Sequence, residues 1–175
     1  MNGTLGSKSS TGCYHFGSVQ KNQTSSHKEC KSRSGYLVEI NNEIEHRYLS
    51  QKLQKIHLVQ PTWNTWWIGL TTLSDASSSL KDIIEGSGFG IDKRNHVDLE
   101  DKDNFPEDSE WNWLNSGTTL SNQTYTGWSD TTNNLNGNCV TTDYASSWLW
   151  KSSPCSQKHF FICEIDGIEI HIKSY

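Results

Sequence analysis

The feature that most constrains this chain is the spacing of cysteines and aromatics in its last quarter. From Gly127-Trp128 the sequence runs through a polar, Asn-rich stretch to Cys139-Val140, then Trp148, Trp150 and Cys155, and ends in Phe160-Phe161-Ile162-Cys163-Glu164. Two cysteines stand close around a loop. A third lies on a short apolar run of the length and composition of a buried strand. That strand needs a partner, and Cys30, far upstream, is the natural candidate to join it. The rest then reads as a scaffold that holds the loop between Trp128 and Cys155 on the outside.

With 175 residues, the chain fits one domain with decorations. Its apolar fraction is only 33%, offset by eight Trp, six Tyr and five Phe, which bury large areas each and permit a modest core built on aromatics. The remaining surface is rich in Ser, Thr and Asn rather than charge, as in a secreted protein. A net charge of −5 argues against nucleic acid as a partner. Asp92–Glu110 alone holds eight acids and three bases, which accounts for that whole excess. None of the five cysteines forms a Cys-x-x-Cys pair, so zinc-ribbon and thioredoxin-type chemistry are disfavoured. Disulfides imply an oxidising compartment, and the Asn-x-Ser/Thr acceptors at Asn2, Asn22 and Asn122 agree with a secretory route. The sequence has no apolar stretch of about 18 residues, so no membrane span is expected. Met1–Gly12 contains no hydrophobic leader, so the chain is read as starting after one or as a fragment.

In order, residues 1–12 are expected as a flexible N-terminal tail and Cys13–Phe16 as a first strand. Ser26 and Glu29 have capping-box spacing, which predicts a short helix carrying Cys30 and ending near Gly35. Tyr36–Ile40 is extended. A second helix starts at Asn42, with Ile44, Tyr48, Leu49, Leu53 and Ile56 at helical spacing on its core face. Trp66–Leu70 is a buried strand. Residues 74–110 pass through Ser-rich, Gly-rich and acidic patches and read as an insertion, with a helical turn around Leu80–Ile84. Trp111-Asn112-Trp113 restores the domain. Residues 165–175 read as a C-terminal extension with an extra strand, in which Ile168, Ile170 and Ile172 alternate with Glu169, His171 and Lys173.

Taken in this order, the landmarks resemble the C-type lectin-like domain. The matching pieces are Cys13-Tyr14-His15-Phe16, Cys30, Leu37-Val38-Glu39-Ile40, Trp67-Ile68-Gly69-Leu70, Trp111-x-Trp113, Gly117, Trp128, Cys139-Val140, Trp150, Cys155 and Phe161-Ile162-Cys163-Glu164. They cover residues 13–164, interrupted by the insertion. The resemblance implies an α+β fold in which two helices flank small antiparallel sheets, with a long irregular loop region. It also implies the disulfides Cys30–Cys163 and Cys139–Cys155. Cys13 is left over, as a free thiol, an interchain bond, or the mark of a truncated N-terminus.

Sugar-binding members of the family hold calcium on the long loop through a Glu-Pro-Asn or Gln-Pro-Asp triplet and a later Trp-Asn-Asp triplet. Calcium takes six to eight hard oxygen ligands. Here Ser129–Asn138 contains no Pro and one carboxylate, Asp130, and the later triplet aligns with Trp150-Lys151-Ser152, so an ammonium stands in a ligand's place. The usual calcium site, and with it any cofactor, is expected to be absent. The resemblance therefore points to an extracellular recognition module for a glycan or a protein ligand. For a glycan, the candidate ligand-binding residues are Asp130, Asn133, Asn134 and Asp143, with Trp148 exposed to stack on a sugar. A calcium site displaced into the insertion would use Asp98, Glu100, Asp101, Asp103, Asn104, Glu107 and Asp108, although a solvated acidic loop explains these acids as well. The sequence carries no nucleophile elbow, phosphate loop or metal motif, which disfavours an enzyme. Trp63, Trp66, Trp67, Trp111, Trp113 and Trp150 are assigned to the core.

Overall fold

The computed structural model describes residues 13–72, 110–129 and 137–165. The tail 1–12, the body of the insertion, and the expected strand after Ile165 lie outside them. Strand β1 (Cys13–Lys21) leads into α1 (Gln23–Ser32), β2 (Gly35–Leu37), α2 (Glu43–Val59) and β3 (Thr65–Thr72). β4 (Trp111–Trp113), a 3-10 turn (Leu120–Asn122), β5 (Cys139–Asp143), β6 (Trp150–Ser153) and β7 (His159–Ile165) follow. The strands form one seven-stranded sheet in the order β1-β7-β3-β5-β6, with β2 on β7 and β4 on β3. The expected antiparallel pairings are present, and β3 and β7 pair in parallel through Trp66–Phe160 and Trp67–Phe161, which joins the two antiparallel halves into one mixed sheet.

Burial on both faces of that sheet explains the unbroken apolar runs. Side chains alternate across a strand, so Trp66, Ile68, Phe160 and Ile162 enter the larger core with Leu49 and Leu53 of α2. Their neighbours Trp67, Phe161 and Cys163 enter a second core with Cys30 of α1. The bridge Cys30–Cys163 ties α1 to the central strand across 133 residues, and Cys139–Cys155 closes a separation of 16.

Both helices are capped by an Asn, but only one as expected. The Asn42 carboxamide accepts from the Glu45 amide (2.9 Å) at the start of α2, as the sequence predicts, while the Glu45 carboxylate reaches Asn41 N–H (3.1 Å). In α1 the cap is Asn22, accepting from Ser25 N–H (2.8 Å). Ser26 is already one turn inside, returning its hydroxyl to the Asn22 carbonyl (2.8 Å). The helix starts early because buried Gln23 is needed there. Its amide donates to the Ile68 and Leu70 carbonyls (3.2 and 3.1 Å). Its carbonyl oxygen lies 2.8 Å from the bridged Cys139 sulfur, which bears no proton, so this contact is not a hydrogen bond.

The predicted core face of α2 also shifts. Leu49 and Leu53 are buried, with His46 beside them, whereas Ile44 is 71% exposed. At 100° per residue Ile44 lies about 140° around the helix from Leu49, too far to share its face. Trp66, Trp67, Trp113 and Trp150 are fully buried, and Trp63 and Trp111 pack partly buried against the core.

Three carboxylates meet where β7 passes the base of α2. Glu39 accepts from Asn115 and Ser116 N–H (2.9 and 2.8 Å), and Glu45 accepts from the Tyr14 hydroxyl (2.8 Å). Glu164 lies between them, and burial together with the nearby Glu45 charge pushes its carboxyl up to about 7.

Two outcomes follow from this packing. Replacing Cys30 and Cys163 by Ala should cost about 5 kcal/mol in urea unfolding, against about 3 for the Cys139/Cys155 pair, since the longer loop regains more unfolded-state entropy. For Glu164, an unfolded carboxyl titrates near about 4.3. Between that pH and about 7 the native state holds the extra proton, so this group makes stability fall as pH rises through that window. Glu164→Gln should raise the melting temperature at pH 8 and leave it nearly unchanged at pH 5, as read by differential scanning calorimetry.

Candidate functional site

The two limbs of the Asn-rich loop are fixed to the core by backbone pairing. On the incoming limb, Trp150 N–H donates to the Gly127 carbonyl (2.7 Å) and Ser129 N–H to the Trp150 carbonyl (3.2 Å). On the outgoing limb the Asn138 carbonyl accepts from Thr72 N–H (3.0 Å) and from the Thr71 hydroxyl (2.7 Å). Glycines permit both approaches. A Cβ at Gly127 would lie 2.7 Å from the Trp150 ring and 2.8 Å from His46, and one at Gly137 would lie 2.2 Å from the Ser153 backbone. Asp130, Asn133 and Asn134, on the loop between these limbs, lie outside the described residues, as do the acids of the insertion from Asp98 to Asp108.

His46 bolts α2 to this region. Its Nε2 faces the Trp148 carbonyl at 2.8 Å, and its Nδ1 meets the Tyr125 hydroxyl. A carbonyl only accepts, so Nε2 carries the proton and Nδ1 accepts from Tyr125. Burial lowers the pKa of His46 and so favours this neutral ring, which stacks on Trp150 (centroids 5.9 Å). Thr142 also donates its hydroxyl to the Trp148 carbonyl.

Asp143 and Trp148 are brought together in the turn between β5 and β6, but neither as the sequence predicts. The expected exposed Trp148 is only 4% exposed, with its indole N–H donating to Gln54 Oε1 (3.0 Å). The physical cause is the backbone: Ser147 and Trp148 have φ of 57° and 67°, and the Leu149 amide closes the turn on the Ser146 carbonyl (3.1 Å). This is the geometry of a type I′ turn without its usual Gly or Asn. The left-handed conformation costs roughly 1–2 kcal/mol per residue, offset by burial of the indole and by the hydrogen bonds at the indole N–H and at the Trp148 backbone amide and carbonyl. Asp143 stands at the far end of β5 from Cys139, about 13 Å of extended chain away from the outgoing limb. Both its oxygens are engaged, Oδ1 by Ser146 N–H (2.7 Å) and Oδ2 by the Lys151 ammonium (3.3 Å). The aromatic that does face solvent is Tyr144, 48% exposed and stacked on His57 at 3.9 Å.

His46 and Tyr144 were missed by sequence reading. His46 carried a signal, since it precedes Leu49 and Leu53 at core spacing. Tyr144 carried none, because turns have no periodicity. Among the described residues no group of three His, Cys, Asp or Glu side chains is placed to hold a metal ion.

This architecture is that of a C-type lectin-like domain, and the family model of the lectin C-type domain matches residues 91–165. Human lithostathine superposes with a TM-score of 0.59 at 20% identity, covering 90% of this chain and 93% of that one. The carbohydrate-recognition domain of the human scavenger receptor C-type lectin gives 0.59 at 21%, covering 92% and 95%. A calcium-independent type II antifreeze protein gives 0.58 at 18%, covering 94% and 92%. Identities this low establish the fold, not the ligand. No curated protein matches the sequence.

The His46 bolt sets an expected outcome. His46→Ala leaves the Tyr125 hydroxyl without its acceptor, removes one of the two donors to the Trp148 carbonyl and opens a gap beside Trp150. Urea denaturation should show a loss of about 3 kcal/mol, with His46→Gln recovering part of it.

Proposed function

We propose that this domain is a calcium-independent recognition module that acts outside the cell and binds carbohydrate. The observation that carries the reading is the Lys151–Asp143 pair at 3.3 Å. At the position where sugar-binding relatives place a calcium ligand, this chain places a cation already matched to the turn's carboxylate. A divalent ion there would meet repulsion and lose an oxygen. Recognition then falls to hydrogen-bonding groups, and Asp130, Asn133 and Asn134 supply amides and a carboxylate on a loop whose two limbs are fixed to β3 and β6. Among the structural relatives, one is described as a carbohydrate-recognition domain and another as calcium-independent.

The two disulfides support an oxidising, extracellular setting, and no helix among the described residues is long and apolar enough to cross a membrane. Asn122 is exposed as the last residue of the 3-10 turn, and half-buried Asn22 caps α1. Together with Asn2 they are the proposed glycan acceptors. Cys13, exposed at the start of edge strand β1, is a proposed point of interchain disulfide bonding. A second reading, a protein ligand, is favoured by exposed Leu58 and Val59 at the end of α2.

The test is glycan-array binding with and without a chelator, alongside calcium titration by calorimetry. The expected result is saccharide binding that survives EDTA and no heat on adding calcium. Binding abolished by EDTA would overturn the calcium-independent reading, and no glycan bound beside a saturable protein ligand would select the second one.

A further inference from the structure

The turn that buries Trp148 presents Tyr144, and the surroundings of that ring go beyond the loop residues of the proposed carbohydrate site. Tyr144 immediately follows Asp143 at the end of β5, and its amide donates to the Asn64 carbonyl (2.9 Å) just ahead of β3. One face of the phenol ring lies on the imidazole of His57, in the last turn of α2, at 3.9 Å and an interplanar angle of 23°. Trp148 meets the pair from the side, 5.8 Å from Tyr144 and 6.1 Å from His57, edge to face with each. With His57 on one face and Trp148 at the side, Tyr144 is still 48% exposed.

The ring is therefore held rigid from behind and open in front. A turn made without glycine, with two consecutive left-handed residues, fixes its backbone. Among the polar residues that contact this turn, Gln54 and Asn64 are uncharged, while Asp143 and Lys151 are paired with each other. Gln54 uses its carbonyl oxygen on Trp148, which leaves its amide N–H groups as donors. Asn64 is exposed, and the Asp143 and Lys151 charges cancel each other. A flat aromatic face ringed by neutral hydrogen-bonding groups matches the apolar C–H face and equatorial hydroxyls of a pyranose. A phosphate or an acidic peptide would instead need an unpaired cation.

We infer that Tyr144, backed by His57, is a stacking platform for a saccharide ring, at the opposite end of β5 from the Asn-rich loop. This rests on the carbohydrate reading above and adds to it a second contact point. A β-linked oligosaccharide is the ligand class that such a lone platform fits, one ring stacking while its neighbours extend over the surface.

The test uses the whole chain with cellotetraose and chitotetraose as probes, followed by calorimetry and by the His57 ring resonances in NMR. Tyr144→Ala should weaken binding about tenfold, equivalent to about 1.4 kcal/mol, and abolish the His57 shift without lowering the melting temperature. Tyr144→Trp should keep or tighten binding, since it restores the flat face. Saccharide binding that is indifferent to Tyr144→Ala would overturn the platform and leave the carbohydrate reading standing. A wild-type chain that binds neither these probes nor any array glycan would overturn the carbohydrate reading and the platform with it.

Discussion

Strand β7 is the element on which every other part of the molecule depends, because both its edges and both its faces are taken. β1 pairs along one edge, while β2 and β3 divide the other between them. Phe160 and Ile162 anchor the core under α2, and Phe161 and Cys163 anchor the core under α1. Gly17 belongs to this constraint, since a Cβ there would fall 2.3 Å from the Phe161 ring. A strand enclosed in this way cannot slip, because a shift of one residue would exchange the contents of the two cores. The Cys30–Cys163 bridge then locks α1 to the one strand whose register is already settled.

From that fixed strand, order passes outward through β3 and β5 to β6, the far edge of the sheet. Trp150, at the start of β6, is fully buried between Trp113, Trp128 and His46, and its backbone amide and carbonyl both pair with the incoming loop limb. Irregular backbone is normally costly to fix, at about 1–2 kcal/mol per residue. Here the cost falls on a few residues flanking the loop and is offset by indole burial. That arrangement lets a loop of unpatterned sequence start and end at defined points.

The sequence revealed what burial dictates and concealed what backbone dihedrals dictate. The double-faced apolar runs at Trp66–Leu70 and Phe160–Cys163, the Asn42 cap and the family landmarks were all legible, because each depends on residue type at a fixed spacing. The parallel contact of β3 with β7 was not, since nothing local distinguishes it from an antiparallel neighbour. For α1 the sequence points to Ser26 as the cap, whereas the structure uses Asn22, which places Gln23 in the first turn where it reaches the β3 carbonyls. Trp148 is the sharpest failure. A tryptophan in a polar turn reads as exposed, and the two positive φ angles that turn it inward leave no trace in composition.

The Lys151–Asp143 pair matters for what it excludes rather than for what it stabilises. Lys151 remains about a third exposed, and ion pairs in such settings contribute roughly 0–1 kcal/mol, too little to explain a placement on grounds of folding. Its effect on the site's chemistry is larger. In place of an oxygen for a metal, β6 presents a cation whose nearest carboxylate already accepts from it and from Ser146 N–H. A divalent ion approaching Asp143 would meet the like charge of the Lys151 ammonium. The same pairing matches the two opposite charges beside the turn that presents Tyr144, so neither Asp143 nor Lys151 is left there as a lone charge.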